Sequence, residues 1–456
     1  MNGWIQSLSL IASKQLAALQ LATGALVVVT AYLCRVRVLR WRRHTAIHRE
    51  FGRKYESGLL TPEDAQKIIH TSALYDMPAL MNYALAFALF KTYAIPTISK
   101  ILSDTKELKS AASISKRYAD TEILISTWVF CPITGKSTTV KQPSTRSRQS
   151  SATIKPEKAH IGGTTELGDL QVDDPRGMIA LARVNWLHSK YSITNDDYLY
   201  TLALFAFEPP KWARLYGWRA LSPMEEEAFY IFWVEIGQRM GIRDIPETIK
   251  EFKHWVVEYE SRTMIPAQTN HDVATYTTEE LLHAVPEFFG LKNFCRRLTI
   301  CALEESVRIA MMQPQQPAYL HKIFRMTLHT IGFIQGYLCL PRSDSDPGAV
   351  FDISLSKATA TTVSAPSSKL HRMHPKWFQA MPWYMPEPHT LFGTFRNWVA
   401  VKMGLYDAPA GPMLKSEGYR LEEMGPAKYE KCGNEEVIRM AEEFYGCPIS
   451  GPFSRR

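Results

Sequence analysis

One histidine in this 456-residue chain falls where a helix would keep an apolar residue. In ARVNWLHSKY, helical spacing puts Val184, His188 and Tyr191 on one stripe that faces the core. A buried imidazole needs a hydrogen-bond partner or a metal ion, because burying an unpaired polar group is costly. Spacing alone favours a hydrogen-bonded core histidine over a metal ligand. By the same standard, Arg183 and Tyr191 are ordinary packing or surface residues.

A second helix, SKRYADTEILISTWVF, carries a similar polar break. Arg117, Asp120 and Thr121 stand at i, i+3 and i+4, on a face that turns apolar one turn later. Two interpretations are open. The default is a salt bridge between Arg117 and Asp120, as is common at this spacing. The alternative is a polar patch that opens onto a buried pocket and guides dioxygen or a substrate over a cofactor.

The elements that must position these residues are helices. Apolar residues recur at helical spacing through most of the chain and hardly ever alternate with polar ones, which predicts an all-α fold. Two polar segments, 141–168 and 343–369, interrupt helices of the same character. We therefore expect one large helical domain over 58–456, with these two segments as insertions, and not two domains.

The N-terminal segment has the composition of a membrane anchor. Residues 16–34 carry no charge, and roughly 20 apolar residues suffice to cross a bilayer. Lys14 is the only basic residue before this segment, whereas five arginines follow it within ten residues. This order predicts an uncleaved transmembrane anchor with a short lumenal N-terminus, 1–15, a basic amphipathic stem, 35–57, and a cytosolic domain.

The other apolar runs are too short or too interrupted to cross a membrane. Residues 77–90 are cut off by Lys91 and Pro96, and residues 325–340 have the same character. We expect both runs to be core or interfacial helices.

Charge and cysteine content exclude several classes of protein. The formal net charge is +8, but the excess is concentrated beside the anchor, which indicates a membrane surface and argues against a nucleic-acid partner. The seven cysteines are scattered and include no C-x-x-C pair, so neither a disulfide framework nor a structural zinc site is indicated. The common nucleotide-binding, zinc-protease and hydrolase motifs are also missing from the sequence.

Six segments together resemble a known family. They are ALFKTYAIPTIS (88–99), RYADT (117–121), RVNWLHSKY (183–191), DDYLYTLALFAFEP (196–209), YGWRALSPMEEEAFYIFW (216–233) and GYRLEEMGP (418–426). In this order, and after an N-terminal anchor, they resemble the fungal MpaB-type oxygenases. Those enzymes of the endoplasmic reticulum membrane share a catalytic domain with the bacterial latex-clearing proteins, which are haem-b rubber oxygenases. The resemblance implies one large helical domain of that type after a single transmembrane helix.

The resemblance also implies a cofactor and its ligand. His188 matches the histidine that binds the iron of haem b in the rubber oxygenases, and a neutral imidazole on an apolar helix face suits that role. The residues implied to line the cofactor pocket around it are Arg183, Tyr191 and Thr201.

On the opposite side of the cofactor, the resemblance implies that Arg117, Asp120 and Thr121 are the catalytic residues. The bacterial enzymes have a lysine at the position of Asp120, so this chain departs from their pattern there. We could place no counterpart of their catalytic glutamate.

The implied activity is oxidative cleavage of a carbon–carbon double bond in an isoprenoid chain. Dioxygen adds across the bond, which then splits into two carbonyl fragments. The implied substrate is a hydrophobic prenylated molecule of fungal meroterpenoid metabolism, reached from the lipid bilayer of the endoplasmic reticulum. The alternative is a non-catalytic, membrane-tethered helical protein that keeps the fold and binds a lipid or a partner.

Overall fold

The computed structural model describes residues 2–107, 111–134, 174–344, 346–348, 372–449 and 453. Fifteen α-helices occur in these ranges: α1 (Asn2–Glu56), α2 (Pro62–His70), α3 (Pro78–Thr92), α4 (Pro96–Asp104), α5 (Ala111–Phe130), α6 (Arg176–His188), α7 (Asn195–Tyr216), α8 (Pro223–Arg239), α9 (Ile249–Thr263), α10 (Gln268–Leu281), α11 (Leu291–Ile300), α12 (Glu305–Ala310), α13 (Ala318–Phe333), α14 (Leu391–Lys402) and α15 (Asn434–Tyr445). Two π-helical turns, Thr71–Asp76 and Ile334–Leu338, extend α2 and α13.

The predicted all-α fold is confirmed. Within the described ranges there is no β-strand, and the one isolated bridge pairs Met373 with Tyr419. A continuous apolar core runs from Ile47 on α1 to Phe453 near the C-terminus, which confirms a single large helical domain. The predicted insertion 141–168 lies outside the described residues, as does most of 343–369.

Helix α1 is a single unbroken helix through the predicted lumenal segment, anchor and stem. Its large apolar side chains between Leu16 and Leu33 are exposed, and Val36 is the first buried one among those described on this helix. Judged by length and composition, α1 is the helix in the described ranges that is suited to cross a bilayer. Helices α2 and α3 together would also be apolar enough, but they are bent by 112° and much of their surface is buried in the core.

The helices that carry the site residues are packed at the centre of the domain. Helix α5 packs against α6, α6 packs against α15, and α7 packs between α3 and α8. Aromatic rings fill the junction of α5, α7 and α8, where Trp233 stacks on Phe205 at 4.7 Å and meets Trp128 edge-on at 6.4 Å. This packing fixes the spacing of α5, α6 and α7 around the candidate site.

A buried ion cluster explains the segment YGWRALSPMEEE. Ser222 and Glu225 form a capping box that begins α8, which satisfies the free N–H groups of its first turn. Arg219 donates to Glu225 at 2.7 Å and to Asp76 at 2.8 Å, and all three side chains are buried. The cluster therefore joins the end of the first π-helical turn to the start of α8.

The C-terminal part of the chain is held by a buried arginine on α6. Arg183 is fully buried and donates to the carbonyl oxygens of Met424, Tyr429 and Cys432 at 2.7, 2.8 and 2.8 Å. Its guanidinium also lies 4.9 Å from the ring centroid of Trp186. We call residues 418–432 the C-terminal segment; these contacts hold it against α6.

Replacing Arg183 by lysine tests this attachment. A single ammonium group cannot reach three separate carbonyls, so we expect Arg183→Lys to lower the free energy of unfolding by about 2–3 kcal/mol. Urea unfolding of the full chain in detergent, followed by tryptophan fluorescence, measures the change. Limited proteolysis should also cut near residues 424–432 sooner than in the parent protein.

The matched control is Arg439→Lys on α15, because Arg439 and its partner Glu443 are exposed and 3.9 Å apart. We expect this change to cost less than about 0.5 kcal/mol. Equal effects of the two substitutions would contradict the structural role of Arg183.

Candidate functional site

His188 is the last residue of α6, at the edge of the core. The side chain is half-buried, but its Nδ1 atom is out of contact with solvent and has no hydrogen-bond partner among the described residues. The imidazole ring lies 5.6 Å from the ring of Tyr198 on α7, centroid to centroid. Within the described residues, Nδ1 of His188 therefore lacks the hydrogen bond that a core histidine would have.

The environment of His188 keeps its imidazole neutral. Burial of the ring, and after it the positive charge of Arg117, lower the pKa of His188 to about 4. The side chain is therefore uncharged at neutral pH. A neutral imidazole nitrogen has the lone pair that a metal ion binds.

Arg117 on α5 lies close enough to His188 for its charge to act on the imidazole. Its charge acts on the pKa of His188, and it partly offsets the burial that raises the pKa of Tyr93 and of Tyr191. The side chain is half-buried, and no residue in the described ranges forms an ion pair with it. The fold thus brings Arg117 near His188, and within the described residues neither the Arg117 guanidinium nor Nδ1 of His188 has a partner.

Asp120 does not pair with Arg117. Its Oδ1 accepts a hydrogen bond from the hydroxyl of Tyr384 at 2.7 Å, and its Oδ2 accepts one from Nζ of Lys116 at 2.7 Å and one from N–H of Gly425 at 3.1 Å. The carboxylate is buried and fully engaged with these partners. The salt bridge that spacing suggests between Arg117 and Asp120 is absent from this described helix, and Asp120 instead ties α5 to the C-terminal segment.

Lys116 completes this attachment, and the sequence patterns gave no reason to select it. Its Nζ also donates to the carbonyl of Gly425 at 2.6 Å and lies 3.1 Å from Oε1 of Glu430. Burial lowers the pKa of Lys116, but Asp120 and Glu430 more than reverse the shift, so the net change is upward and the ammonium stays charged. The only signal in the sequence is a lysine four residues before an aspartate on a helix.

The four remaining predicted site residues lie on or next to helices α5, α6 and α7. Thr121 is half-buried on α5, one turn after Arg117. The N–H of Tyr191 donates to the carbonyl of His188 at 3.0 Å just after α6 ends. Thr201 follows Tyr198 by one turn on α7, and its hydroxyl donates to the carbonyl of Asp197 at 2.8 Å. Arg183 donates its hydrogen bonds to carbonyls of the C-terminal segment. It can therefore support a cofactor pocket only indirectly, by keeping that segment in place.

The donor set fits haem better than a metal bound by protein groups alone. Within the described residues, no three His, Cys, Asp or Glu side chains are grouped so that they could share an ion. A porphyrin supplies its own four nitrogen ligands, so one protein ligand is enough to hold its iron. The unpartnered, neutral imidazole of His188 meets that requirement.

A second polar cluster lies elsewhere, around Lys91 at the end of α3. The buried ammonium of Lys91 lies 2.8 Å from Glu260, 3.0 Å from Glu304 and 3.6 Å from Glu208. Burial lowers the pKa of Lys91, but the three carboxylates outweigh that effect and raise it. These residues line a cleft of about 330 Å³. The sequence showed Lys91 only as the end of an apolar run, because its partners are more than a hundred residues away.

Comparison with known proteins places the chain in a family. Residues 76–332, more than half of the chain, match the family described as ER-bound oxygenase mpaB/B'/Rubber oxygenase, catalytic domain. This range contains Arg117, Asp120 and His188.

Two relatives show how far the similarity extends. The ER-bound oxygenase mpaB' of Penicillium brevicompactum is 26% identical over 429 residues, which cover 90% of this chain and 88% of the relative. The ER-bound oxygenase mpaB of Penicillium roqueforti (strain FM164) is 29% identical over 309 residues, which cover 64% of this chain and 89% of the relative. No solved structure matches the chain significantly. The match over more than half of its length shows that the chain belongs to the oxygenase family that unites MpaB-type proteins with the rubber oxygenases.

Proposed function

We propose that this protein is a membrane-anchored, haem-dependent oxygenase that cleaves a carbon–carbon double bond in an isoprenoid chain. The observation that carries the proposal is the buried Nδ1 atom of His188, which has no partner among the described residues and belongs to a neutral imidazole beside Arg117. Family membership supports the oxygenase activity. His188 is the proposed axial ligand of haem b, with Tyr191 and Thr201 beside it.

The alternative, a non-catalytic protein with the same fold, loses its main support. That interpretation explains Arg117 and Asp120 as a structural salt bridge. Asp120 is instead paired with Lys116, and Arg117 is left half-buried without an ion-pair partner in the described chain. A charged group that is partly withdrawn from water and unpaired costs free energy, so a functional use for it is the more economical explanation.

The chain's own residues would prepare the pocket. His188 presents a neutral nitrogen, and the aromatic ring of Tyr198 limits how that imidazole can turn. The guanidinium of Arg117 places a fixed positive charge where an oxygen atom gains electron density, and Thr121 adds a hydroxyl one turn further along α5. When bound, haem b would supply the activation of dioxygen.

The atoms of the proposed reaction balance without another reductant. One alkene and one dioxygen molecule give two carbonyl compounds, each of which carries one oxygen atom from dioxygen. The membrane anchor suits a prenylated substrate, because such a molecule partitions into the bilayer and can reach a membrane-bound enzyme from it. We propose a single-pass anchor in the endoplasmic reticulum membrane with the helical domain in the cytosol, as the arginines after residue 34 indicate. The names of the relatives describe them as ER-bound.

Removing the imidazole tests the proposed haem ligand. The full chain, purified in detergent, should show a haem Soret band that His188→Ala abolishes while the helical circular dichroism is unchanged. Because the pKa of His188 is lowered to about 4, its imidazole stays neutral as the pH falls from 7 to 5. We therefore expect the parent's band to persist over that range, because protons do not compete with iron for the imidazole until the pH falls to about 4 or below.

The matched control is His254→Ala on α9, since the side chain of His254 is 74% exposed and, among the described residues, pairs only with Glu258 of the same helix. This variant should keep the full Soret band. A colourless parent protein that is folded, or a His188→Ala variant with an unchanged spectrum, would refute the proposed ligand.

Isotope labelling tests the proposed reaction. The anchored enzyme is supplied with a farnesylated aromatic compound under ¹⁸O₂, and the products are reduced at once with borohydride so that carbonyl oxygen cannot exchange with water. We expect two fragments with one ¹⁸O atom each. Arg117→Met should keep the Soret band but slow turnover about 100-fold, as expected for the loss of one electrostatic donor. Fragments without ¹⁸O would rule out a dioxygenase mechanism.

A further inference from the structure

The end of α13 and the π-helical turn after it form a strip of surface whose large apolar side chains face outward. We call residues 331–340, IGFIQGYLCL, the apolar strap. Its inward positions are Gly332, Gly336 and Gln335, whose side chain donates to the carbonyl of Asp76 at 3.1 Å. Its large apolar side chains point outward and are 43–55% exposed: Ile331, Phe333, Ile334, Tyr337, Leu338 and Leu340. A helix that covers a soluble core shows the opposite arrangement. The outward side chains therefore need an apolar environment that the domain itself does not supply.

The two glycines hold the apolar strap in this orientation. A β-carbon on Gly336 would lie 2.4 Å from Cβ of Trp218, and one on Gly332 would lie 2.7 Å from the carbonyl oxygen of Tyr216. No larger residue fits at either position without a shift of the backbone. Because the glycines press against the end of α7 and the chain after it, the strap cannot roll its apolar side chains inward.

The apolar strap lies against the membrane end of α1. The hydroxyl of Tyr32 donates to the carbonyl of Leu338 at 2.8 Å, and Arg40 donates to the carbonyls of Cys339 and Leu340 at 2.7 and 3.1 Å. Tyr32 lies two residues before the end of the predicted anchor, a distance of about 3 Å along the helix axis. Leu338 is therefore at the level where the predicted anchor leaves the bilayer, and its exposed neighbours continue the apolar surface of α1.

Positive charge borders this surface. Arg35 and Arg37 are exposed on α1 just beyond the anchor, and Arg325 and Arg342 are exposed on either side of the strap. Arginines at such a border can bind the anionic headgroups of lipids. A second copy of the chain would instead bring two sets of like charges together across the same surface.

We propose that the apolar strap is embedded in the bilayer, in the leaflet where α1 ends. The bilayer would then hold the domain at two places, the anchor and the strap, and the domain could not swing freely about α1. This inference rests on the membrane anchor proposed above. It adds a second membrane contact that is independent of the haem and of the reaction.

Native Cys339 is exposed within the apolar strap, so the strap can be labelled without a substitution in it. The full chain, with Cys34, Cys295, Cys432 and Cys447 replaced by serine, is labelled at Cys339 with the fluorophore NBD. The buried thiols of Cys131 and Cys301 remain. The protein is reconstituted into vesicles of phosphatidylcholine and phosphatidylserine that contain lipids with a doxyl quencher high on the acyl chain. We expect a blue-shifted emission that the doxyl lipids quench.

Two further probes in the same serine background, with Cys339 also replaced, calibrate the result. Leu26→Cys lies in the anchor and should be quenched by doxyl groups deep in the bilayer. Val257→Cys lies on α9, is 65% exposed without being part of the strap, and should not be quenched.

Each pattern of quenching has a distinct meaning. If Leu26→Cys is quenched and Cys339 behaves like Val257→Cys, the anchor stands and the strap proposal is wrong. If Leu26→Cys is not quenched, the anchor fails and the strap proposal fails with it. If the Cys339 probe is blue-shifted without lipid and only at high protein concentration, a second copy covers the strap and the proposal is overturned. A double substitution, Phe333→Asp with Leu338→Asp, should abolish the quenching at Cys339 while Leu26→Cys stays quenched.

Discussion

The buried ion pair between Asp120 and Lys116 is the contact on which the candidate site depends. Both side chains lie on α5, and through Gly425, Tyr384 and Glu430 they attach that helix to later parts of the chain. Removing one partner of a buried ion pair typically costs about 3–5 kcal/mol of stability, because the other charge remains buried without a partner. Arg183 holds the same C-terminal segment from α6. The segment thus clamps α5 to α6 and sets the distance between Arg117 and His188.

This arrangement divides the polar residues of α5 between two tasks. Asp120 and Lys116 face the C-terminal segment and satisfy one another, so they are not free for a ligand. Arg117 and Thr121 are half-buried and take no part in that clamp. Asp120, which the resemblance predicts to be catalytic, is therefore occupied by structural contacts. In the proposed function, Arg117 is therefore the residue of α5 that supplies positive charge.

The sequence predicted what depends on local pattern, namely the helices, the anchor and the polar breaks at Arg117 and His188. It could not predict contacts between distant residues, since spacing along one helix says nothing about what packs against it. Arg183 appeared to be a pocket residue beside His188, yet its partners lie more than two hundred residues later. The sequence also could not show which face of the apolar run 325–340 is exposed. Only its packing on Trp218 shows that the glycines face inward.

The central claim is that the imidazole of His188 binds iron in a pocket that it shares with Arg117. The most direct measurement is the crystal structure of the haem-loaded protein, with anomalous diffraction recorded at the iron absorption edge. The account predicts one iron peak within coordination distance of a His188 ring nitrogen, with Arg117 lining the same cavity. An iron peak held by any other residue, or a His188 ring hydrogen-bonded to a protein group and remote from the iron, would contradict it.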